Sequence, residues 1–262
     1  MRLAVAATAP FGADVLERLG ANHDVPYLLT RPDRPRGRGR RVGPPPAKEV
    51  AERLRIEVRQ PERLAGFDPG EDVVVLAAYG ALIPEDVLER ALWLNVHPSL
   101  LPRWRGAAPI ERALMAGDLE TGVTIIKLVR ELDAGPIAAQ RAFAVSEQDD
   151  FGNVSARAAE LGAELIDEVL PDPRFTPQPE EGVTYAEKIG PADRQLDWSR
   201  PAQELLNRVR ALSPHIGARA ELHGRPVTVW KARIEDGRLV PVEVQPDGGR
   251  RMNYEAFLRG LR

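Results

Sequence analysis

Short apolar runs alternate with helical segments through the first half of the chain, and this alternation limits the fold more than any other feature. The apolar runs predict buried strands at 2–8, 24–30, 72–79, 93–97, 122–129 and 137–145. Helical spacing or a leading proline predicts helices at 11–19, 47–54, 84–92 and 109–116. Strands that alternate with helices over short links predict a mostly parallel sheet covered by helices on both faces. In such sheets, ligands bind beyond the carboxyl ends of the strands.

The rest of the chain changes character after a long amphipathic helix predicted at 151–170. The segment "PDPRFTPQPEEG" contains four prolines and is typical of a domain boundary. A helix at 201–212 follows, then short strands at 217–222, 226–234 and 239–244, and a final helix at 253–260. We therefore predict a catalytic domain at 1–176, a linker at 177–197 and a small β-rich domain at 198–262.

Composition excludes several classes of chemistry. The chain has no cysteine, which rules out disulfides, zinc–thiolate sites, iron–sulfur clusters and cysteine nucleophiles. This composition fits a reducing compartment, so we expect a cytoplasmic location. No apolar stretch approaches the roughly 18 residues of a membrane span, and the histidines lack metal-ligand spacing, so we expect neither a membrane nor a metal. Dinucleotide, P-loop and nucleophile-elbow motifs are absent from the sequence.

Two polar side chains stand at the end of the strand predicted at 93–97. Asn95 and His97 are two residues apart, so both face the same side of an extended strand, and Pro98 ends that strand. An amide and an imidazole placed in this way can donate hydrogen bonds to one substrate oxygen. A lone Asn-x-His pair more often satisfies the backbone of a turn, so the pair needs a third residue to indicate catalysis.

Asp133 is the candidate third residue, in the turn "RELDAGP" after the next predicted strand. An aspartate in such a turn commonly bonds its own backbone. If the strands that carry His97 and Asp133 are neighbours, however, a carboxylate, an imidazole and an amide meet in one crevice. Trp104 and Arg105, a few residues beyond His97, could form either a stacking surface or simple packing.

The segment "RPDRPRGRGRR" at 31–41 concentrates positive charge in a chain that is acidic overall. It carries a formal charge of +5, whereas the whole chain carries −3. Charge runs are usually solvated or bind any polyanion. This one lies between a predicted strand end and a helix start, on the side of the sheet where His97 and Asp133 are expected. Its prolines and glycines suit an adaptable loop that orders on a partner.

Several ordered motifs together resemble the methionyl-tRNA formyltransferase family. They are "RPDRPRGRG", "PPPAKEVA", "VVVLAAYGALIP", "NVHPSLLPRWRGAAPI", "AGDLETGVTIIKL", "ELDAGPI" and "TYAEKI". The resemblance runs from the N-terminus to about Lys231 and returns in "VEVQPDGGRRMNYEAFLRG". It implies a Rossmann-like formyltransferase domain and a small C-terminal β-rich domain like an OB fold. Three clear strands predict that this second domain is shortened.

The resemblance also implies an activity: transfer of a formyl group from 10-formyltetrahydrofolate to the α-amino group of methionine on initiator methionyl-tRNA, for translation initiation. It implies a monomer without a metal. It assigns catalysis to Asn95, His97 and Asp133. It places the folate near Ser99, Leu100, Leu101 and Pro102. It assigns tRNA contact to the loop arginines Arg34, Arg36, Arg38, Arg40 and Arg41, with Arg38 acting on the acceptor end. Two alternatives stay open, a formyltransferase acting on an amino sugar nucleotide and a non-catalytic RNA-binding module.

Overall fold

The computed structural model describes residues 1–36 and 41–261. Its strands are β1 (Ala4–Ala7), β2 (Tyr27–Leu29), β3 (Arg34–Arg36), β4 (Arg41–Gly43), β5 (Glu57–Arg59), β6 (Val73–Ala77), β7 (Leu92–His97), β8 (Arg105–Gly106), β9 (Glu120–Lys127), β10 (Ile137–Ala144), β11 (Tyr185–Ala186), β12 (Ala218–Leu222), β13 (Arg225–Glu235), β14 (Arg238–Pro246) and β15 (Met252–Asn253). Its α-helices are α1 (Pro10–Asn22), α2 (Pro46–Leu54), α3 (Glu85–Leu88), α4 (Pro109–Ala116), α5 (Phe151–Val169), α6 (Ala202–Leu212) and α7 (Tyr254–Arg259).

The main sheet confirms the predicted Rossmann-like fold. Its strand order is β10-β9-β7-β6-β1-β2-β5, and β5, β2, β1, β6 and β7 run parallel to one another. The strand order reverses beside β1, as in other doubly wound sheets. β9 is the exception to the parallel arrangement, because it pairs antiparallel with β7. The carboxyl ends of the parallel strands therefore share one edge of the sheet, and β9 begins near that edge.

The central strands form because their side chains are apolar on both faces. All four residues of β1 are buried, and β7 is buried from Trp93 to His97. Strands covered on both faces by helices need such continuous apolar runs rather than an alternating pattern. At the start of α1, Pro10 occupies the first turn, where its missing N–H costs nothing. Gly12 lets this turn approach the carbonyl of Ala77 closely, and a side chain there would collide with that oxygen.

Several elements differ from the sequence-based predictions, among them one helix and one edge strand of the main sheet. The helix predicted at 84–92 is only one turn long, α3, and β7 begins at Leu92. β5 was not predicted, because its sequence Glu57–Arg59 is short and polar. Such a composition is common on an edge strand, and β5 stands at one edge of the sheet. Within the described residues, 1–36 and 41–261, no helix combines the length and apolarity needed to cross a membrane.

The chain divides into two compact units. One comprises Met1–Arg105, Gly122–Ala142 and Ala156–Thr184, and the other comprises Gly106–Thr121, Phe143–Ser155 and Tyr185–Arg262. The second unit contains an antiparallel sheet in the order β12-β13-β14-β15. That sheet packs its apolar face on a core that includes Leu205, Val209, Val229, Val244 and Phe257. The predicted boundaries at 176 and 198 remain a proposal about domain organisation.

Candidate active site

The structure brings Asn95, His97 and Asp133 together. Asn95 and His97 lie on β7 and are 6% and 4% exposed, and Asp133 is 9% exposed. The Asn95 side-chain amide donates to Asp133 Oδ1 over 3.2 Å. His97 Nδ1 lies 3.6 Å from Asp133 Oδ2, longer than a direct hydrogen bond but within ion-pair distance. One carboxylate therefore faces both polar side chains of the strand end.

Asp133 reaches this position by a route that the sequence did not indicate. Because β9 is antiparallel to β7, its carboxyl end at Lys127 pairs with Leu94 rather than with His97. The connection from β9 to β10 closes at its base, where the Lys127 amide donates to the carbonyl of Pro136. Asp133 lies within this connection, and from there its side chain contacts Asn95 and faces His97. β7 and β9 are neighbours, which meets the condition that the sequence left open.

The hydrogen bonds of His97 constrain where its protons lie. Nε2 lies 2.8 Å from the carbonyl oxygen of Trp104, which can only accept, so Nε2 carries a proton. In the neutral ring, Nδ1 would then present a lone pair to the Asp133 carboxylate. A proton between Nδ1 and the carboxylate removes that repulsion.

The turn that carries Asp133 is a strained one. Asp133 has φ of +48°, a left-handed conformation that is uncommon for residues other than glycine. Gly135 follows, and any side chain there would collide with the carbonyl oxygen of Lys127. Non-glycine residues in this region persist when their surroundings hold them, and they concentrate at functional sites.

Gln178 holds this turn from behind. Its side-chain amide donates to the carbonyls of Asp133 and Gly135, each over 2.8 Å. Its side-chain oxygen accepts from Arg105 Nε at 3.1 Å and from an Arg105 terminal nitrogen at 2.7 Å. Arg105 therefore supports Gln178 through hydrogen bonds rather than forming a stacking surface. The guanidinium carbon of Arg103 lies 4.3 Å from the centre of the Trp104 ring. Sequence reasoning missed Gln178, because it stands in the proline-rich segment interpreted as a boundary.

The residues predicted to contact folate form a tightly bonded loop after β7. Ser99 is fully buried and donates its hydroxyl to the carbonyl of Arg103 over 2.7 Å. Thr124 on β9 donates to the Ser99 carbonyl over 2.6 Å and accepts from the Leu101 amide over 3.1 Å. Leu101 is buried as well, whereas Leu100 and Pro102 are half-buried. Ser99 and Leu101 thus shape the loop, and Leu100 and Pro102 offer surface to a ligand.

The base of the arginine loop is anchored to the sheet. β3 and β4 form a short antiparallel pair on either side of residues 37–40. Lys48 on α2 donates to both carboxylate oxygens of Asp33, at 3.0 and 2.8 Å. Gln60 donates to the Arg31 carbonyl and to Asp33, each over 2.8 Å. Of the predicted tRNA-binding residues, Arg34 is exposed and Arg36 and Arg41 lie on the paired strands. Arg38 and Arg40 lie outside the described residues.

Loops at the strand ends expose large apolar side chains near this site. Leu82, after β6, is 80% exposed, and Leu132, beside Asp133, is 56% exposed. β6 and β9 are the two neighbours of β7, so these loops flank the trio. Burial raises the pKa of the nearby Tyr79, which therefore stays a neutral phenol. Among the residues that the structure describes, no three His, Asp or Glu side chains gather as a metal ion would require.

Comparison with known proteins places the chain in a family. Residues 1–170 match the formyl transferase family, and residues 188–238 match the C-terminal domain family of formyl transferases. The methionyl-tRNA formyltransferase of Dechloromonas aromatica (strain RCB) is 41% identical over 295 aligned positions, which cover 99% of this chain and 96% of that protein. The chain belongs to the methionyl-tRNA formyltransferase family. Membership of this family makes it a formyl-group transferase.

Solved structures agree on the fold. A methionyl-tRNA formyltransferase from Clostridium thermocellum matches with a TM-score of 0.67 and 15% identity over 94% of this chain and 98% of that one. An N-formyltransferase from Helicobacter canadensis, solved with folinic acid and dTDP-3-aminofucose, matches with a TM-score of 0.69 and 15% identity over 96% of this chain and 98% of that one. The methionyl-tRNA formyltransferase and the enzyme solved with an amino sugar nucleotide match about equally well. These likenesses therefore show the family's fold and do not identify the molecule that accepts the formyl group.

Proposed function

We propose that this chain transfers a formyl group from 10-formyltetrahydrofolate to the α-amino group of methionine on initiator methionyl-tRNA. The observation that carries the proposal is the 41% identity to a methionyl-tRNA formyltransferase along nearly the whole of both chains. The convergence of Asn95, His97 and Asp133 supports it, since the transfer needs a hydrogen-bond donor and a group that moves a proton. We place the reaction in the cytoplasm and expect the chain to act as a monomer.

The reaction exchanges one carbon–nitrogen bond for another. The neutral α-amine attacks the formyl carbon, and the carbonyl oxygen becomes an oxyanion in the tetrahedral intermediate. The bond from this carbon to the folate nitrogen then breaks. The attacking nitrogen loses one proton and the folate nitrogen gains one, so the products are N-formylmethionyl-tRNA and tetrahydrofolate. Preorganised donors at the oxyanion accelerate such a step most, and each typically contributes about 3–4 kcal/mol.

Asn95 is the residue best suited to bind the oxyanion. A side-chain amide has two N–H groups, and Asp133 accepts only one of them. The bond to Asp133 also fixes the amide orientation, so the second N–H is directed before the substrate arrives. His97 reaches the oxyanion only through Nδ1, or after Nε2 releases the Trp104 carbonyl. Its main role in this geometry is to share a proton with Asp133.

Asp133 is the residue best suited to relay the proton. Its carboxylate accepts from Asn95 and faces His97 Nδ1 at 3.6 Å, a separation that a small side-chain shift shortens to a direct hydrogen bond. A carboxylate in this position can take the proton from the attacking amine and, with the imidazole, return one to the folate nitrogen. Such positioned acid–base groups typically contribute 10²–10⁴-fold to a rate.

The arginine loop is proposed to guide the acceptor end of the tRNA. A high local concentration of positive charge attracts phosphates, and one short segment carries Arg34, Arg36, Arg38, Arg40 and Arg41. Lys48 and Gln60 support this role, because they tie the loop's one aspartate, Asp33, to the sheet. The ion pair with Lys48 also offsets the negative charge that would otherwise oppose phosphate binding.

Two alternatives make different predictions. An amino-sugar formyltransferase would share the trio but would not need the arginine loop. A non-catalytic RNA-binding module would not need a buried carboxylate facing an imidazole and an amide. The deciding experiment supplies labelled 10-formyltetrahydrofolate with initiator methionyl-tRNA, elongator methionyl-tRNA or an amino sugar nucleotide. We expect label on the initiator tRNA. Transfer only to the sugar amine would replace the proposal with an amino-sugar formyltransferase. Failure to bind folate, measured by calorimetry, would replace it with an RNA-binding module.

A further inference from the structure

The Gln178 side chain links the Asp133 turn to Arg105, and this link uses all of its hydrogen-bonding groups. Its two N–H groups go to the carbonyls of Asp133 and Gly135, and its oxygen accepts two bonds from Arg105. None of these bonds involves the carboxylate of Asp133 itself. The link therefore acts on the backbone that carries the carboxylate, from a position 45 residues further along the chain.

From this geometry we propose that Gln178, oriented by Arg105, is a positioning residue that keeps the Asp133 carboxylate facing Asn95 and His97. The inference rests on the proposed function, because it concerns the step in which Asp133 moves a proton. Asp133 has φ of +48°, and its carboxylate oxygens face Asn95 and His97. The two hydrogen bonds that the turn's carbonyls at Asp133 and Gly135 accept from Gln178 compensate for the strain.

Only an amide can serve both sides of the link. A glutamate has the same shape and would still accept from Arg105, but it cannot donate to two carbonyls. Its charge would also stand against the oxygens of the Asp133 turn. Gln178→Glu therefore keeps the volume and the Arg105 contact while it removes the two bonds that matter. An open cavity of about 520 Å³ adjoins the side chain, between Ala134, Pro136 and Val183, so water can hydrate the released carbonyls and the fold can survive.

The hydrogen bonds of the Gln178 side chain go to Arg105 and to the Asp133 turn rather than to Asn95 or His97, so its loss should affect the rate and not the affinity for substrate. A misplacement of about 1 Å at a catalytic group can lower a rate up to about 100-fold. We expect Gln178→Glu to lower the single-turnover rate of formylation by roughly 10- to 100-fold at saturating tRNA and folate. The KM values for both substrates should stay within about threefold of the wild type. Gln148→Glu, which changes an exposed glutamine in the same way, is the matched control.

A double-mutant cycle with Asp133→Asn tests whether Gln178 acts through Asp133. Residues that act through one another show non-additive effects. In the Asp133→Asn background, Gln178→Glu should therefore change the rate by less than about twofold. Arg105→Met, which frees the Gln178 amide to rotate, should give a smaller loss in the wild-type background and the same cancellation. It also provides the test if Gln178→Glu lowers the thermal unfolding midpoint too far to assay.

Three results would overturn the proposal. The first is a wild-type rate for Gln178→Glu. The second is an equal loss in both backgrounds, which would mean that Gln178 acts independently of Asp133. The third is a rise in the KM for tRNA at unchanged kcat, which would make Gln178 a binding residue. Each differs from failure of the proposed function, in which the unmodified chain would not formylate methionyl-tRNA at all.

Discussion

Asp133→Asn should separate the chemistry of the site from its architecture. The side chain is 9% exposed, accepts from Asn95 over 3.2 Å and lies 3.6 Å from His97. The introduced amide has the same shape as the carboxylate. Its oxygen can still accept from Asn95, and its nitrogen can donate to a neutral His97 Nδ1, whose ring keeps the Nε2 proton bonded to Trp104. We therefore expect the free energy of unfolding to change by less than about 1 kcal/mol.

The rate should respond very differently. An amide cannot accept the proton of the attacking amine, and it leaves His97 neutral. Loss of a positioned acid–base group typically costs 10²–10⁴-fold, equivalent to about 3–5 kcal/mol of barrier. The assay is single-turnover transfer from labelled 10-formyltetrahydrofolate to initiator methionyl-tRNA, with enzyme in excess so that product release does not limit the rate. Urea unfolding of the same preparation supplies the stability control.

Two outcomes would refute this reasoning. A rate within about tenfold of the wild type would show that the Asp133 carboxylate does not relay the proton. A loss of several kcal/mol in unfolding free energy would show that the carboxylate supports the fold, and the rate could then no longer be attributed to chemistry.

Three further predictions concern the loop and the core. Arg38→Glu should lower kcat/KM for tRNA and reduce the dependence of log affinity on log salt by about one unit, whereas Arg174→Glu, on an 86% exposed side chain, should not. Lys48→Met should raise the KM for tRNA several-fold without changing the KM for folate, because Asp33 loses the partner that neutralises it, and equal changes in both would contradict an anchoring role. Burial raises the pKa of Tyr27 to about 12. The folded-state pKa exceeds the unfolded value of about 10, so the unfolded state releases the phenol proton first as the pH rises. The contribution of Tyr27 to stability is therefore present below about pH 10, and the free energy of unfolding should fall by about 1 kcal/mol between pH 9 and pH 11. Tyr27→Phe should reduce that loss in urea unfolding.

The sequence carried enough information for the parallel part of the sheet. Apolar runs such as β1 and β7 are buried on both faces, and that environment leaves a continuous signature in the residues. The direction of β9 was not predictable in this way, since an apolar run reads the same for a parallel and an antiparallel strand. β5 carried no signal, because an edge strand of three polar residues needs no apolar face.

The site, too, contains residues that the sequence predicted and contacts that it could not. Asn95 and His97 were predictable because their spacing and the following proline mark a strand end, and Asp133 stood out as a turn aspartate. The hydrogen bond from His97 Nε2 to Trp104 depends on a backbone bend, with φ of +65° at Trp104, that no residue type announces. Gln178 was hidden because its partners are far from it in sequence, and because the two that tie it to the Asp133 turn are backbone carbonyls, which leave no trace in side-chain identity.

The central claim is that this chain formylates methionine on initiator tRNA. The most direct measurement incubates the purified chain with 10-formyltetrahydrofolate and initiator methionyl-tRNA, releases the amino acid with mild base, and identifies it by mass spectrometry. We expect N-formylmethionine, formed by the wild type and strongly reduced with Asp133→Asn. Recovery of unmodified methionine alone, from a preparation that binds the folate and formylates an amino sugar nucleotide, would contradict the claim.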